Sequence, residues 1–294
     1  MTSNQGAYVR LHIAVLCWSF TAILGALISI SAISLVWWRV LFAALFLLLT
    51  PKLFTELKTL SFSALLSYAW IGVLIALHWV CFYASIKLGN ASIGLITLAT
   101  TSLFTALLEP WMMNYKHSKV DLTLGLLIIP AMWLATTEFD SGKMLAFWIG
   151  ILSAFLLAFL SIKNRQLIDK TSPLTITFIE MGSALIFLTI CSPFVFMFSE
   201  STQIIPGQRD IFLLIILALA CTILPYVLHL QALKHISAFT LNLIVNLEPV
   251  YGIILAIIIL QDQQDLTTRF YIGVLIIIAI VTAYPILQKQ LKSH

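Results

Sequence analysis

The chain has 294 residues, of which 61% are hydrophobic and only 10% are charged, and its formal net charge is +4. A soluble globular domain carries about 25% charged residues, so this composition excludes that class of protein. The apolar residues are gathered in ten stretches, each about as long as the ~20-residue helix that crosses a bilayer. We therefore predict an all-α integral membrane protein with ten transmembrane helices.

The ten predicted helices are joined by loops that are too short to fold as separate domains. In chain order the helices cover residues 8–28, 33–49, 63–86, 91–113, 122–137, 144–162, 173–198, 210–233, 236–260 and 268–287. The tight connections at 29–34 and 87–92 contain Ser, Gly and Asn residues, which suit hairpin turns. Because no loop has room for a nucleotide-binding domain, any transport would not be driven by ATP hydrolysis in this chain.

The distribution of lysine and arginine predicts the orientation. Eleven of these residues fall on the side of the N-terminus and four on the other side, and positive residues concentrate in cytoplasmic loops. The eleven are Arg10, Lys52, Lys58, Lys116, Lys119, Lys163, Arg165, Lys170, Lys234, Lys289 and Lys292, and the four are Lys87, Lys143, Arg209 and Arg269. We therefore place both termini in the cytoplasm. The small net charge follows from loop topology rather than from a nucleic-acid surface.

The first apolar stretch and the cysteines carry no special signal. The stretch lacks a small-residue cleavage site and is longer than a signal-peptide core, which predicts an uncleaved helix. The four cysteines are Cys17, Cys81, Cys191 and Cys221, and all fall inside predicted helices at unrelated spacings. They predict neither a metal site nor a disulfide framework. We expect no bound metal or cofactor.

A weak internal repeat divides the chain into two halves. At an offset of 147 residues the third and fourth predicted helices fall on the eighth and ninth, and Ala91 meets Ala238. Five helices per half place the second half in the membrane in the opposite orientation. We therefore predict a first repeat over residues 1–140 and a second, inverted repeat over residues 141–294. Inverted repeats with a binding site between them are a transporter architecture.

Ionisable side chains inside the predicted helices are functional candidates, because burying them in a bilayer is costly. They are Arg39, His78, Glu109, Glu180, His229 and Glu248. Glu248 is the strongest candidate, since it lies near the midplane and precedes Pro249, which frees a carbonyl one turn upstream. An acid there can bind a substrate amine or carry a proton. The alternative is a structural carboxyl bonded to a neighbouring helix.

We predict six substrate-binding residues. Trp18, Trp79 and Tyr83 offer aromatic walls, and Asn242, Asn246 and Glu248 offer polar recognition. The two asparagines share one helix face at a spacing of four residues. The alternative for both asparagines is hydrogen bonding between helices, and for the two tryptophans it is packing.

We predict gating or proton coupling for Arg39, His78, Glu180 and His229. Histidine titrates near neutral pH, and Glu180 can pair with His229 at the cytoplasmic side. The alternative for both histidines is a hydrogen-bonded packing residue. Glu109 precedes a proline, as Glu248 does, but it lies near the end of its helix, and we favour a structural role for it.

Short motifs in the second half are similar to those of a known family. Residues 247–251 read Leu-Glu-Pro-Val-Tyr, Asp262 follows them, and Gly273 lies near the start of the tenth predicted helix. This combination resembles the Pro-aromatic run, the terminal acid and the Gly-led last helix of the EamA branch of the drug/metabolite transporter superfamily.

The first half adds two positions to this resemblance, which covers essentially the full length. The Trp18–Ser19 pair and Arg39 resemble the Trp-Gly and Arg positions of the family. The resemblance implies an inner-membrane carrier for small metabolites, often an exporter of amino acids. It also implies a central cavity formed by the first, third, fourth, sixth, eighth and ninth helices.

We therefore expect a secondary transporter for amino acids or related amphipathic compounds that works by alternating access. Its expected partners are a small-molecule substrate and the lipid bilayer, with proton coupling and a homodimer through the fifth and tenth helices as further expectations. A membrane-embedded enzyme that modifies lipids or small molecules is the alternative. The common chemistries of such enzymes are disfavoured, because every Asp lies at the end of a predicted helix or in a loop, and the sequence has no Gly-x-Ser and no His-Glu-x-x-His. A channel lacks support from a ring of like charges.

Overall fold

The computed structural model describes residues 3–136, 141–198, 204–261 and 267–291, and these ranges contain helices but no strand. Seven helical segments are long and apolar enough to cross a membrane. They are Gln5–Leu27, Phe62–Leu88, Ala91–Met113, Ser141–Leu167, Pro173–Pro193, Gln208–Leu233 and Ala238–Leu260, and Ala32–Leu47 and Thr268–Ile280 are shorter apolar helices. The all-α membrane fold is thus confirmed, whereas the count of ten transmembrane helices stays a prediction.

Fourteen α-helices follow one another in the described part of the chain. They are α1 Ser3–Leu27, α2 Ala32–Leu47, α3 Leu53–Thr59, α4 Phe62–Leu88, α5 Ala91–Leu98, α6 Thr101–Met113, α7 Lys119–Thr136, α8 Ser141–Leu167, α9 Pro173–Phe198, α10 Gln208–Ala218, α11 Leu224–Leu233, α12 Ala238–Val245, α13 Leu247–Leu260 and α14 Thr268–Leu291. The short helix α3 was not predicted, because it is too short to give a hydropathy signal.

Two predicted helices, 91–113 and 236–260, are each broken near the middle. Between α5 and α6 the hydroxyls of Thr97 and Thr100 donate to backbone carbonyls three residues earlier, which competes with helical bonding. Between α12 and α13 the backbone N–H of Asn246 contacts two carbonyls at once. Hydropathy stays high through both breaks, so the sequence pattern predicted continuous helices there.

A third predicted helix, 210–233, contains a π-helical turn at Leu219–Ile223 between α10 and α11. In this turn the Thr222 hydroxyl donates to the carbonyl of Leu217, five residues earlier, at 2.7 Å. Pro225 has no N–H to donate to the carbonyl four residues earlier, which belongs to Cys221. The turn therefore offers a free backbone acceptor inside the bundle.

The internal repeat is visible in the broken helices. The bounds of α5, shifted by 147 residues, are those of α12, and α6 and α13 end at equivalent residues. Among the described non-glycine residues, only Asn114 and Gln261 have positive φ, 56° and 59°. These two residues are also 147 apart, and each ends a broken helix. The two-repeat architecture is thus present, while the boundaries at 1–140 and 141–294 stay a prediction.

The two repeats interlock through reciprocal contacts. In one direction α1 packs on α11 and α13 of the second repeat, and in the other α8 packs on α4 and α6 of the first. The equivalent helices α2 and α9 pack on each other, and so do α7 and α14. Each half therefore buries its apolar surface mainly against the other half, and the space between them is the natural place for a site.

Candidate functional site

A cavity of about 50 Å³ lies between the two repeats. Seven of the ten predicted site residues line it: Trp18, Arg39, His78, Trp79, His229, Asn242 and Glu248. The remaining wall is mainly apolar and is completed by Thr21, Ile75, Phe82, Leu98, Leu157, Leu160, Tyr226 and Val245. A mostly apolar wall with a few polar groups is typical of a small-molecule site.

Arg39 is the fixed cation of this cavity. Although 99% of its surface is buried, the guanidinium donates to Thr222 Oγ1 at 2.7 Å, to the Tyr83 hydroxyl at 2.8 Å and to the Cys221 carbonyl at 3.0 Å. Its carbon lies 3.7 Å from the centre of the Trp79 ring, in a cation–π contact. The π-helical turn of one repeat thus holds a charge that the other repeat supplies.

Glu248 is the acid of the cavity. It is buried in the first turn of α13, just after the helix break. Its side chain interacts electrostatically with Arg39, but among the described residues no carboxylate lies within ion-pair distance of that guanidinium. A cation and an acid therefore share one cavity without neutralising each other by direct contact.

Aromatic rings form another part of the cavity wall. Trp18 meets His229 edge to face at 5.3 Å, and Tyr226 stacks on His229 at 5.8 Å. His78 is held by Ser153 of α8, whose hydroxyl lies 2.8 Å from Nδ1 and whose carbonyl lies 2.9 Å from it. His78 therefore has the hydrogen-bonded packing environment that was the alternative to titration.

Three predicted site residues do not line the cavity. Tyr83 is buried behind Arg39 and accepts its hydrogen bond. Asn246 donates to Ser102 of the first repeat at 3.0 Å. Glu180 is fully buried outside the cavity, and the side chains that it interacts with are Tyr226 and Asn164. Tyr226, and not Glu180, is thus the neighbour of His229 at the wall.

The asparagines join the repeats. Asn242 donates to Thr105 at 2.9 Å, accepts from Ser161 at 3.3 Å and also lines the cavity. Together with the Asn246–Ser102 bond, this supports the interhelical alternative for both residues. Of the two asparagines, only Asn242 lines the cavity, and substrate binding stays a prediction for both.

Glu109 has the structural role that the sequence favoured. Its two carboxylate oxygens accept from the backbone N–H groups of Ala238 at 2.9 Å and Phe239 at 2.7 Å. These are the first two residues of α12, where free N–H groups attract an anion. An acid of the first repeat therefore caps a helix of the second.

Several residues at the site were missed by sequence reasoning. Tyr226 precedes His229 by one turn and is therefore recognisable as its neighbour. Thr222 and Cys221 lie in an apolar run, and nothing in the run indicates a π-helical turn. Asn164 falls just beyond the predicted helix 144–162, whereas α8 extends to Leu167 and buries it.

An acid links the two repeats at each membrane face. At the face that carries the α1–α2 turn, which we call the Ser29 face, Asp210 accepts from the Ser29 hydroxyl at 2.5 Å and its N–H at 3.2 Å. Beside this pair, Lys87 donates to the carbonyl of Ile28. The Ser29 link therefore ties the first turn of one repeat to the third helix of the other.

The equivalent link lies at the opposite face, which we call the Glu56 face. Glu56 of α3 accepts from Ser172 and, at 2.6 Å, from Thr175, both in the turn that begins α9. These hydrogen bonds, that of Ser172 foremost, lower the pKa of the Glu56 carboxyl below its usual value. Both links join a repeat's first inter-helix turn to an acid of the other repeat.

Within the part of the chain that the structure describes, no group of three His, Cys, Asp or Glu side chains could hold a metal ion. Asp262, which carried part of the resemblance, lies outside the described residues.

Comparisons with known proteins agree with this architecture. A model of the EamA-like transporter family matches residues 7–137 and again residues 144–284. No curated protein matches the chain. A solved crystal structure of a protein is similar to it with a TM-score of 0.71 and 12% identity, over 98% of this chain and 99% of that chain. At that identity the likeness concerns the fold alone.

Proposed function

Because the chain belongs to the EamA-like transporter family, we propose that it is a secondary transporter of amino acids or related small amphipathic compounds. We further propose that it works by alternating access in the inner membrane, with both termini in the cytoplasm, and that it exports its substrate. The family supports membrane transport; the substrate class and the mechanism rest on the cavity.

The observation that carries the substrate class is the pair of Arg39 and Glu248 in one cavity. Three of the five guanidinium N–H groups have partners in the described residues, which leaves donors for a substrate carboxylate. Glu248 can accept from a substrate ammonium. A zwitterion satisfies both groups at once, whereas a purely apolar substrate would leave Glu248 and the remaining donors of Arg39 without partners.

The rest of the wall suits an apolar or aromatic side chain on such a substrate. Trp18, Trp79 and Phe82 supply rings, and Ile75, Leu157 and Val245 supply aliphatic surface. Burial of an apolar group against this wall contributes about 25 cal/mol per Å². The cavity therefore favours a neutral amino acid with a sizeable side chain over a highly charged metabolite.

Alternating access requires the halves to separate at one face while they stay together at the other. The Ser29 and Glu56 links join the two repeats at opposite faces, and each consists of a few hydrogen bonds. Such small polar contacts are cheap to break, unlike the extensive packing of α1 on α11 and of α8 on α4. We propose that the Ser29 link holds the repeats together at the outer face and the Glu56 link at the inner face, and that each link breaks when the cavity opens to its face.

A membrane-embedded modifying enzyme was the alternative, and membership in a transporter family favours transport over it. The cavity groups also suit binding more than bond cleavage. The nucleophilic hydroxyl nearest to His78 belongs to Ser153, which donates to the backbone of His78 at 3.0 Å and ties two helices together. Its donor role is thus already used in the bundle.

The test is counterflow in proteoliposomes with a panel of amino acids and small metabolites, comparing the wild type with Glu248→Gln. We expect saturable exchange that prefers zwitterions, and a loss of exchange in the variant. The matched control is Glu109→Gln, which also turns a buried acid into an amide but lies at the start of α12. It should retain exchange.

Exchange that persists in Glu248→Gln would remove this acid from the site and leave the transport class standing. Exchange of amines and carboxylates without a preference for zwitterions would overturn the proposed pairing with Arg39 and Glu248. Absence of exchange for every compound in the wild type would count against transport of this substrate class.

A further inference from the structure

A buried polar cluster lies next to the substrate cavity but outside it. Glu180 of α9 is fully buried, and no hydrogen bond of good geometry reaches either of its carboxylate oxygens from the described residues. The side chains that it interacts with are the Tyr226 hydroxyl and the Asn164 amide, which are bonded to each other at 2.9 Å. The Oδ1 atom of Asn164 also lacks a partner there.

The site is built by close packing of four helices. At Gly72 of α4 an added Cβ would lie 2.0 Å from Ser183 Oγ and 2.3 Å from the carbonyl oxygen of Glu180. Only glycine permits this approach of α4 to α9. Asn164 of α8 and Tyr226 of α11 are the other neighbours, so helices of both repeats enclose the carboxyl, which is not exposed to solvent in this conformation.

The cluster contains more acceptors than donors. Two carboxylate oxygens and the Asn164 Oδ1 are acceptors. Because Asn164 already donates one N–H to Tyr226, only its second N–H and the Tyr226 O–H remain as donors for these three oxygens. A buried carboxylate that has two neutral donors beside it and no cation is disfavoured. A proton bound to Glu180 turns one acceptor into an O–H donor that can bond Asn164 Oδ1. With an ionised Glu180, the cluster is thus short of one positive charge or one hydrogen-bond donor, and a bound proton supplies it.

Tyr226 connects this cluster to the cavity. Its hydroxyl lies in the cluster, while its ring lines the cavity and stacks on His229 with an interplanar angle of only 5°. His229 in turn contacts Trp18. Neither nitrogen of His229 has a hydrogen-bond partner in the described part of the chain, so nothing polar there resists a shift of this ring.

We propose that Glu180 binds the coupling proton of this transporter, in a chamber separate from the substrate site, and that Tyr226 transmits its occupancy to the cavity wall. The proton adds to the carboxylate to give the neutral acid. When the proton leaves, the Tyr226 O–H turns to the carboxylate. The contacts of the Tyr226 ring with His229, and of His229 with Trp18, then rearrange. This inference rests on the proposed transport function.

The other titratable groups near Glu180 are few. From α11 Tyr226 faces it. From α4 Tyr68 experiences the charge of Glu180, and the Tyr68 hydroxyl donates to the Leu167 carbonyl at 2.7 Å. Asp169, after α8, acts on Tyr68. No cation of the described residues forms an ion pair with Glu180. A proton that binds this carboxylate therefore does not have to displace a fixed positive charge.

The test compares wild type, Glu180→Gln and Glu109→Gln in proteoliposomes. We measure counterflow without a gradient, and accumulation driven by a pH gradient or by a sodium gradient. A gradient of one pH unit can drive up to about tenfold accumulation per proton, about 1.4 kcal/mol. We expect Glu180→Gln to keep counterflow and to lose accumulation driven by the pH gradient, while Glu109→Gln keeps both.

A second readout does not depend on transport. The infrared spectrum of the purified protein should show a protonated carboxyl band that decreases at alkaline pH and is absent in Glu180→Gln but present in Glu109→Gln. Tyr226→Phe keeps the stacked ring but removes the hydroxyl, and we expect it to lose a larger share of the pH-driven accumulation than of counterflow.

Three results would overturn the proposal. They are pH-driven accumulation that is unchanged in Glu180→Gln, accumulation by the wild type with a sodium gradient only, and absence of a carboxyl band that depends on Glu180. If the wild type shows no counterflow at all, the proposed function fails instead. The infrared result then still decides whether Glu180 takes up a proton.

Discussion

The broken helices α5–α6 and α12–α13 have the same backbone and different chemistry. Both break after eight residues, and both end in a left-handed residue, Asn114 in one and Gln261 in the other. Yet the position that holds Glu248 in the second pair holds Thr101 in the first, 147 residues earlier. The duplicated architecture supplies the geometry of a cavity, and divergence of single residues supplies its charge.

The comparison extends to how the two breaks are held. Asn246, at the second break, donates across to Ser102 of the first repeat, whereas its equivalent Ala99 offers no side-chain donor. The start of α12 is capped by both Ser237 and Glu109, and the start of α5 by Asn90. The second pair is thus anchored by polar bonds to the first, and it also contributes the acid of the cavity.

The largest expected effect is on substrate binding, and it distinguishes Glu248 from its repeat equivalent Thr101. Hydrogen bonds to charged groups are worth about 1.5–3 kcal/mol, so Glu248→Gln should weaken substrate binding by about 10- to 100-fold. Thr101→Val removes a hydroxyl without a partner in the described residues and should change binding by no more than about twofold. The measurement is the concentration dependence of exchange. Equal losses in both variants would show that the two positions are functionally equivalent.

The next effect concerns thermal stability and the capping of α12 in the second repeat by Glu109 of the first repeat. Glu109→Ala leaves two buried N–H groups at the start of α12 without an acceptor, and each should cost about 1–3 kcal/mol. We expect a lower Tm in detergent, and a smaller decrease for Glu109→Gln, which keeps one acceptor oxygen. An unchanged Tm in Glu109→Ala would mean that water replaces the carboxylate.

A smaller effect distinguishes the two N-caps. Removal of a side-chain cap typically costs about 1 kcal/mol. Asn90→Ala should show that full cost in thermal unfolding, because the Asn90 side chain accepts from Ile93 N at 2.9 Å and Asn90 is the N-cap of α5. Ser237→Ala should cost less, since Glu109 still holds the start of α12. The reverse order would contradict the assigned role of Glu109.

The smallest effect is the pH dependence of the Glu56 link. Hydrogen bonds from Ser172 and Thr175 lower the pKa of Glu56 in the folded protein. The link therefore stabilises the fold above the unfolded-state pKa, and this contribution is lost as the pH falls through the lower folded-state pKa. From about pH 7 to below about pH 4, the Tm of the wild type should fall more than that of Glu56→Gln. Parallel curves for both proteins would remove Glu56 from the acid response.

The sequence predicted the helices well because hydrophobic stretches of membrane length are a strong signal. It could not predict the breaks at Ala99 and Asn246 or the π-helical turn at Leu219–Ile223, since backbone hydrogen bonding changes there while hydropathy does not. The offset of 147, inferred from a few identities, was sufficient to relate α5 to α12. The structure then showed that both helices have equivalent ends.

Candidate site residues were found because ionisable groups in apolar helices are rare, but their roles depend on distant partners. Arg39 meets Cys221 and Thr222 about half a chain away, and Glu109 meets Ala238. Such pairs have no local signature. The sequence allowed a pair of Glu180 and His229, whereas the structure places the Tyr226 ring beside His229 and its hydroxyl near the acid. Composition identifies the charged groups, and only packing decides which of them share a cavity.

The reciprocal packing of the repeats also constrains how the protein is made. The acceptor of Arg39 at Thr222 lies 183 residues later in the chain, and at about 5–20 residues per second it is synthesised roughly 10–40 s after the arginine. During that interval the Arg39 guanidinium has its Tyr83 partner but lacks the acceptors at Thr222 and Cys221, and the faces of α1 and α4 that pack on the second repeat are uncovered. The first repeat therefore completes its polar and apolar contacts only after the second repeat has been synthesised.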